Sequence, residues 1–360
     1  MSLPLHGANP RSLYQSMRIP VPEQIIDFSE NSNPLGPPSA ISEKWMAWQS
    51  AISSYPDPEG QALRQAIADY HGLGSEQVLL GNGAAELMMV VARWFQGKIV
   101  GIVHPAFSEY VRVVEANGGI VQSFITTEET GWQSPDEEIM HFLIKGHILF
   151  LCNPVNPTGI KYSRDTLARW IKQADRYGAT ILLDEAFIDM IGEEYSFANQ
   201  IGSSSLLIFR SMTKMYSIAG LRLGYLLGTK GRLAEFGSLL PHWNVNALSL
   251  LAGEEALRDK AFQEKTRTYM KTERERLFAF LDDLGFRYSL SEANFYLLQP
   301  QNASQTADLF RWLLHRGIVL RHTYNYKGLE GRWLRAGIKT KEQNDQLIQA
   351  VTAWHQEQLL

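Results

Sequence analysis

Lys214 closes the tetrapeptide Ser211-Met212-Thr213-Lys214, which follows an apolar run at 206–209 and precedes Ala219-Gly220-Leu221-Arg222-Leu223-Gly224-Tyr225. A lysine just past a buried strand can project into the crevice at the strand ends. Partial desolvation there lowers its pKa and frees the amine to attack an aldehyde. The hydroxyls of Ser211 and Thr213 and the guanidinium of Arg222 suit a phosphate dianion beside it. Two segments upstream have matching positions. Asp184-Glu185-Ala186-Phe187 directly follows the apolar run 180–183, and an aspartate buried at a strand end can pair with a protonated ring nitrogen. Asn153-Pro154-Val155-Asn156-Pro157-Thr158-Gly159 follows the run Ile148–Cys152. Its prolines restrict the backbone, so the Asn156 amide can be held toward a ring oxygen. Any one of these could be an ordinary turn or helix cap. Three at consecutive strand ends supply the parts that an aldehyde-bearing pyridine cofactor needs.

One sheet has to hold those three turns. Apolar runs at 78–80, 99–103, 120–124, Ile148–Cys152, 180–183 and 206–209 read as strands buried on both faces. Helical spacing of apolar residues at 84–95, 108–117 and Arg164–Tyr177 supplies crossover helices between them. The pattern predicts an α/β domain with a mostly parallel sheet over residues 45–250. Beyond Asn244 the texture changes to a charged helix at 259–284, a strand at 294–298, a helix at 303–316, a strand at 332–337 and a last helix at 341–358. Residues 251–360, with 1–44, are expected to form a smaller α+β domain. The proline-rich segment carrying Pro20, Pro22, Pro34, Pro37 and Pro38 is expected to cross the surface between the two parts.

With 360 residues, 45% hydrophobic and 20% charged, the chain can bury two domains around a shared core. The net charge of −4 is spread without a polybasic run, which argues against nucleic acid or an anionic membrane as partner. The start, Met1-Ser2-Leu3-Pro4-Leu5-His6-Gly7, has neither a basic nor an apolar leader pattern, and a cytoplasmic protein is expected. Cys152 is the single cysteine and sits in an apolar run. It reads as a buried strand thiol, and neither a disulfide framework nor a cysteine zinc site can form. No metal is expected.

The motifs around Asn156, Asp184 and Lys214 resemble those of the fold-type I pyridoxal phosphate (PLP) enzymes, in the aminotransferase class I and II group, over nearly the whole chain. The resemblance implies the α/β fold of those transferases, with PLP held by Lys214 as a Schiff base. It implies that Asp184 pairs with the pyridinium nitrogen, that Asn156 contacts the phenolic oxygen, and that Ser211, Thr213 and Arg222 hold the cofactor phosphate. Gly81-Asn82-Gly83-Ala84-Ala85-Glu86 opens a predicted helix, so the amides at Gly83, Ala84 and Ala85 can receive the same phosphate. Phe107 matches the aromatic ring stacked on the pyridine. Tyr55 matches a tyrosine that reaches across from a second subunit, which implies a homodimer. Phe187 departs from the pattern, since many members carry a tyrosine there. Arg335, in Arg332-Trp333-Leu334-Arg335-Ala336-Gly337, matches the arginine whose fork binds a substrate α-carboxylate.

Within that group, His6-Gly7-Ala8-Asn9 and the stretch Asp27-Phe28-Ser29-Glu30-Asn31-Ser32-Asn33 resemble the threonine-phosphate decarboxylases of cobalamin biosynthesis, close kin of the histidinol-phosphate aminotransferases. Ala8 stands where those enzymes usually have glycine. The resemblance implies that His6, Gly7, Asn31 and Arg321 gather around the phosphate of a small phosphorylated amino acid, with Asn156 and Arg335 at its other end. The implied reaction is decarboxylation of L-threonine O-phosphate to aminopropanol phosphate. Amino-group exchange at the same site is the alternative. A PLP-binding regulator would usually carry an added DNA-binding module, for which the chain has no spare residues.

Overall fold

The computed structural model describes residues 3–358. In chain order its strands are β1 (Ile26–Asp27), β2 (Val78–Gly81), β3 (Ile99–His104), β4 (Ile120–Ile125), β5 (Ile148–Cys152), β6 (Thr180–Asp184), β7 (Leu206–Ser211), β8 (Gly224–Leu227), β9 (Arg287–Tyr288), β10 (Phe295–Gln299), β11 (Ile318–Val319), β12 (Arg321–His322) and β13 (Leu334–Gly337). Seven of them form one sheet in the order β2-β8-β7-β6-β5-β3-β4. From β7 to β4 every pairing is parallel, and β8 runs antiparallel to both β7 and β2. Strands β5, β6 and β7 are buried at every position, because helices cover both faces and leave no solvent side for polar residues. Edge strand β4 alternates more exposed with less exposed residues instead.

Parallel strands end on the same side. The chain therefore leaves the sheet at Asn153, Asp184 and Ser211 along one edge, where a doubly wound sheet opens a crevice. The reversed strand β8 brings its first residue, Gly224, to that edge, in register with Ser211 on one side and Gly81 on the other. Four-residue β8 was not anticipated from the sequence, and neither were helices Gln61–His71, Asp136–Ile144, Lys230–Gly237 and Ala247–Arg258. The helix expected over 84–95 is α-helical only to Val91. It tightens to a 3₁₀ turn over Ala92–Phe95, a common end geometry that here turns Phe95 into the core.

A second, antiparallel sheet is ordered β12-β13-β10-β9. Helices Lys260–Asp283, Thr306–His315 and Lys341–Glu357 accompany it. Its register sets Arg335 directly opposite Arg321 on one side and Leu297 on the other.

The N-terminal segment departs from the expected surface crossing. Asn9 caps helix Pro10–Met17, β1 pairs in parallel with β11, and Phe28, Ser29, Asn31 and Asn33 are buried. Prolines forbid helix but not extended pairing, and the backbone here finds partners indoors. Phe28 N–H donates to Val319 O and Gly337 N–H to Phe28 O, both at 2.8 Å. Asn33 then reaches the seven-stranded sheet, donating through its N–H to Lys214 O at 3.1 Å and through Nδ2 to Met215 O at 2.8 Å. No helix among the described residues is long and apolar enough to cross a membrane.

Candidate active site

A cavity lies at the edge where the parallel strands end. Lys214, Asp184, Asn156, Phe107, Ser211 and Arg222 line it from the sheet side, and His6, Gly7, Asn31, Arg321 and Arg335 line it from the other. Lys214 projects from the single turn Met212–Met215 and lines this space. Burial, and then the neighbouring Arg335 charge, hold its amine below the usual lysine range. The ring centre of Phe187, packed edge-on against Phe295, stands 6.0 Å from Nζ and offers it no hydroxyl.

Asp184 is 4% exposed, and its two oxygens have separate partners. Tyr110 donates its hydroxyl to Oδ2 at 2.5 Å, and the Ala186 N–H donates to Oδ1 at 3.0 Å. Burial pushes this carboxyl up to about 6 even though both donors pull it down. Asn156 accepts from Arg335 Nη1 through Oδ1 at 2.7 Å, which turns the Nδ2 end of the amide elsewhere. Cys152 is buried in the cavity wall, its thiol directed to Pro154 O at 3.1 Å and pushed up by burial.

An anion cradle lies beside Lys214. Ser211 and Thr213 bring their hydroxyl oxygens to 2.8 Å of each other, and Ala84 and Ala85 open helix Ala84–Val91 at the cavity wall. Gly83 precedes that helix at φ +77°, and a Cβ on it would stand 2.7 Å from Arg222 Nη2. A Cβ on Gly224 would stand 2.5 Å from the Ala84 nitrogen. Two glycines therefore let a guanidinium and a strand close on a helix N-terminus, where free N–H groups and the dipole favour a phosphate. An amine, an aspartate for a ring nitrogen, the Phe107 ring and this cradle form a donor set that fits PLP.

The opposite wall is cationic. Arg321 and Arg335 are 3% and 5% exposed, face each other across β12 and β13, and pair with no carboxylate among the described residues. Like charges directly opposite on a sheet repel, and burial lowers the pKa of both. Arg335 donates from Nη2 to Ser29 O at 2.7 Å. Arg321 donates to Pro4 O, Leu5 O and Asn325 Oδ1, and its Nη1 lies 2.7 Å from His322 Nε2, which also stands 2.9 Å from Pro4 O; burial and the adjacent guanidinium push that imidazole down to about 4. Two such cations side by side are suited to one ligand bearing two anionic groups.

Other expected residues fall in different relations to the cavity. Asn31 is buried in its wall, and its amide oxygen can face Arg335 Nη1 at 3.1 Å. His6 lines the cavity but pairs with Glu109 Oε1 at 2.9 Å, its ring 5.6 Å from that of Phe107. Gly7 lies so close to Ser29 O that a Cβ would meet it at 2.2 Å. Tyr55 does not reach the cavity of its own chain. It is 82% exposed, rests on Trp243 and borders a separate groove with Leu63 and Leu250. Sequence reasoning missed Tyr110 and Tyr326. Tyr110 was within reach of it, lying three residues after Phe107 in the first turn of helix Ser108–Ala116. Nothing in the local sequence marks Tyr326, which arrives by a turn after β12.

Residues 23–351 match the family model for aminotransferase class I and II. The chain is 35% identical to the threonine-phosphate decarboxylase of Salmonella typhimurium over 349 residues, covering 96% of this chain and 95% of that one. It is 30% identical to the histidinol-phosphate aminotransferase of Lactiplantibacillus plantarum over 336 residues, 91% of each chain. The solved histidinol-phosphate aminotransferase of Clostridium acetobutylicum superposes with a TM-score of 0.86 at 28% identity, covering 92% of this chain and 99% of that one.

Proposed function

Because the chain belongs to the aminotransferase class I and II family, whose cofactor is PLP, we propose that it decarboxylates L-threonine O-phosphate to aminopropanol phosphate for cobalamin biosynthesis. The observation that carries this reading is the cross-strand pair Arg321 and Arg335 beside Lys214. A phosphorylated α-amino acid presents a phosphoryl group and a carboxylate only a few bonds apart, which matches two adjacent buried cations. The resemblance to the Salmonella decarboxylase over nearly the full length of both chains supports the same substrate.

In this reading Lys214, Asp184 and Asn156 hold the cofactor's aldehyde, ring nitrogen and phenolic oxygen, and Ser211, Thr213, Arg222 and the amides after Gly83 hold its phosphate. When bound, PLP supplies the aldehyde that the substrate amine condenses with and a ring that accepts the electrons released at the α-carbon. Asp184 keeps the ring-nitrogen proton in place, braced by Tyr110. Arg335 receives the carboxylate and Arg321 the phosphoryl group, so the substrate cannot rotate about its α-carbon and one chosen bond is presented for cleavage. The Lys214 amine, its pKa lowered by burial and the Arg335 charge, can take up the proton that the substrate ammonium gives up on condensing and pass it to that carbon. The working unit is a cytoplasmic homodimer, with Tyr55 of each chain offered to the other; its exposure and its distance from its own cavity support that role.

Aminotransferase relatives of similar coverage favour one second reading, amino-group exchange at the same site. Incubation of the PLP-loaded protein with O-phospho-L-threonine, followed by mass spectrometry, separates the two. Carbon dioxide and aminopropanol phosphate in equal amounts are expected. Transfer of the amino group to a 2-oxo acid without carbon dioxide would replace the decarboxylase with a transaminase.

A further inference from the structure

Tyr326 belongs to none of the motifs that mark this site, yet the fold fixes it there. It ends the turn Thr323-Tyr324-Asn325-Tyr326 after β12, with its N–H donating to Thr323 O at 3.0 Å and its carbonyl accepting from Leu329 N–H at 3.0 Å. The ring is 3% exposed and packs with Trp132, Leu297, Leu329 and Trp333. It lines the Lys214 cavity, and the Arg321 guanidinium carbon stands 5.4 Å from its centre.

The surroundings give the tyrosine hydroxyl a task. Both terminal nitrogens of Arg321 already donate to the protein, to Pro4 O from one and to Leu5 O and Asn325 Oδ1 from the other. A phosphoryl group arriving here meets a guanidinium whose terminal nitrogens already have protein partners, and a neighbouring donor adds to what Arg321 can offer. Resting on the decarboxylase reading above, we propose that Tyr326 is a specificity-determining residue for phosphorylated substrates: its hydroxyl donates to the phosphoryl oxygens beside Arg321, and its wedged ring fixes how far that group stands from Arg335.

The test compares wild type with Tyr326→Phe, which keeps the ring and its packing. A lost hydrogen bond to a charged group should raise KM for O-phospho-L-threonine about 10- to 100-fold. The turnover number and the thermal midpoint should hardly move, and kcat/KM for unphosphorylated L-threonine should stay unchanged. Discrimination between the two substrates then falls by the factor gained in KM. An unchanged KM overturns the proposal, as does an equal loss on both substrates, which would mark the tyrosine as structural. Calorimetric titration of both PLP-loaded proteins with O-phospho-L-threonine separates this failure from that of the proposed reaction. Wild type that binds without releasing carbon dioxide sinks the decarboxylase reading, while the ratio of the two dissociation constants still decides Tyr326. Wild type that does not bind overturns both.

Discussion

Asp184 carries an electrostatic cost in the cofactor-free protein. Its carboxyl is pushed up to about 6 by burial, whereas an aspartate in the unfolded chain ionises near 3.9. Between those values the folded state keeps a proton that the unfolded chain has released, so stability of the cofactor-free protein falls as pH rises through this window. A displacement of that size corresponds to about 3 kcal/mol. Cofactor-free Asp184→Asn should therefore resist urea better than wild type at pH 7.5, by about 2–3 kcal/mol, and match it at pH 3.5. Equal curves at pH 7.5 would contradict a charge held at a loss. The same variant should lose most activity, having no carboxylate for the ring nitrogen. At Lys214, replacement by alanine should abolish covalent fixation of PLP by borohydride, read as absorbance that stays with the protein after denaturation. These residues were legible in the sequence because each follows an apolar run that stops abruptly, and the stop marks the strand end. Tyr110 and Tyr326 were not, since their meaning depends on which strand or arginine the fold brings beside them.

Strands β6 and β7 are locked together next to Asp184 and Ser211. Arg210, fully buried, pairs with Glu185 at 3.3 Å, Asp189 at 2.6 Å and Glu193 at 2.8 Å, and Glu193 also meets His71 at 2.9 Å. Arg210→Met would leave three carboxylates without their cation, a loss of about 3–5 kcal/mol by analogy with other broken buried pairs. Those carboxylates would take up protons more readily as pH falls, so denaturant melts should show a larger deficit at pH 8 than at pH 5. The Asn156 loop is constrained by contact instead. Gly159 adopts φ +73°, and a Cβ there would lie 1.8 Å from Ser291 Oγ and 2.9 Å from Phe295 O. Gly159→Ala is expected to cost about 1–3 kcal/mol and to lower activity by shifting Asn156; an unaltered melt would show that the loop can yield. The parallel core strands could be read because burial on both faces writes continuous apolar runs. Strand β8, with only four residues beside the Arg222 segment, leaves too short a run to separate from a turn.

Across the whole molecule, the cavity is assembled from three lengths of chain that are far apart in sequence. Ser289 Oγ donates to Thr158 O at 2.6 Å, Glu292 N–H to Gly159 O at 2.9 Å, and Asn294 Nδ2 to Asn31 O at 2.7 Å, joining the seven-stranded sheet, the C-terminal sheet and the N-terminal segment. The chain's turn to helices and an antiparallel sheet beyond residue 244 was visible as a change of texture. The path of its first 40 residues was not, because prolines announce what a segment cannot be without naming the sheet edge it will join. That path bears on the salts of the surrounding medium. Pro4 and Leu5 act as resident occupants of Arg321. Free orthophosphate or sulfate must evict them while gaining nothing at Arg335, whereas a substrate holding both arginines can compensate for the eviction. The enzyme should thus tolerate millimolar orthophosphate in its buffer, and removal of residues 2–5 should make orthophosphate a markedly stronger competitive inhibitor, with a Ki ratio near one counting against such shielding.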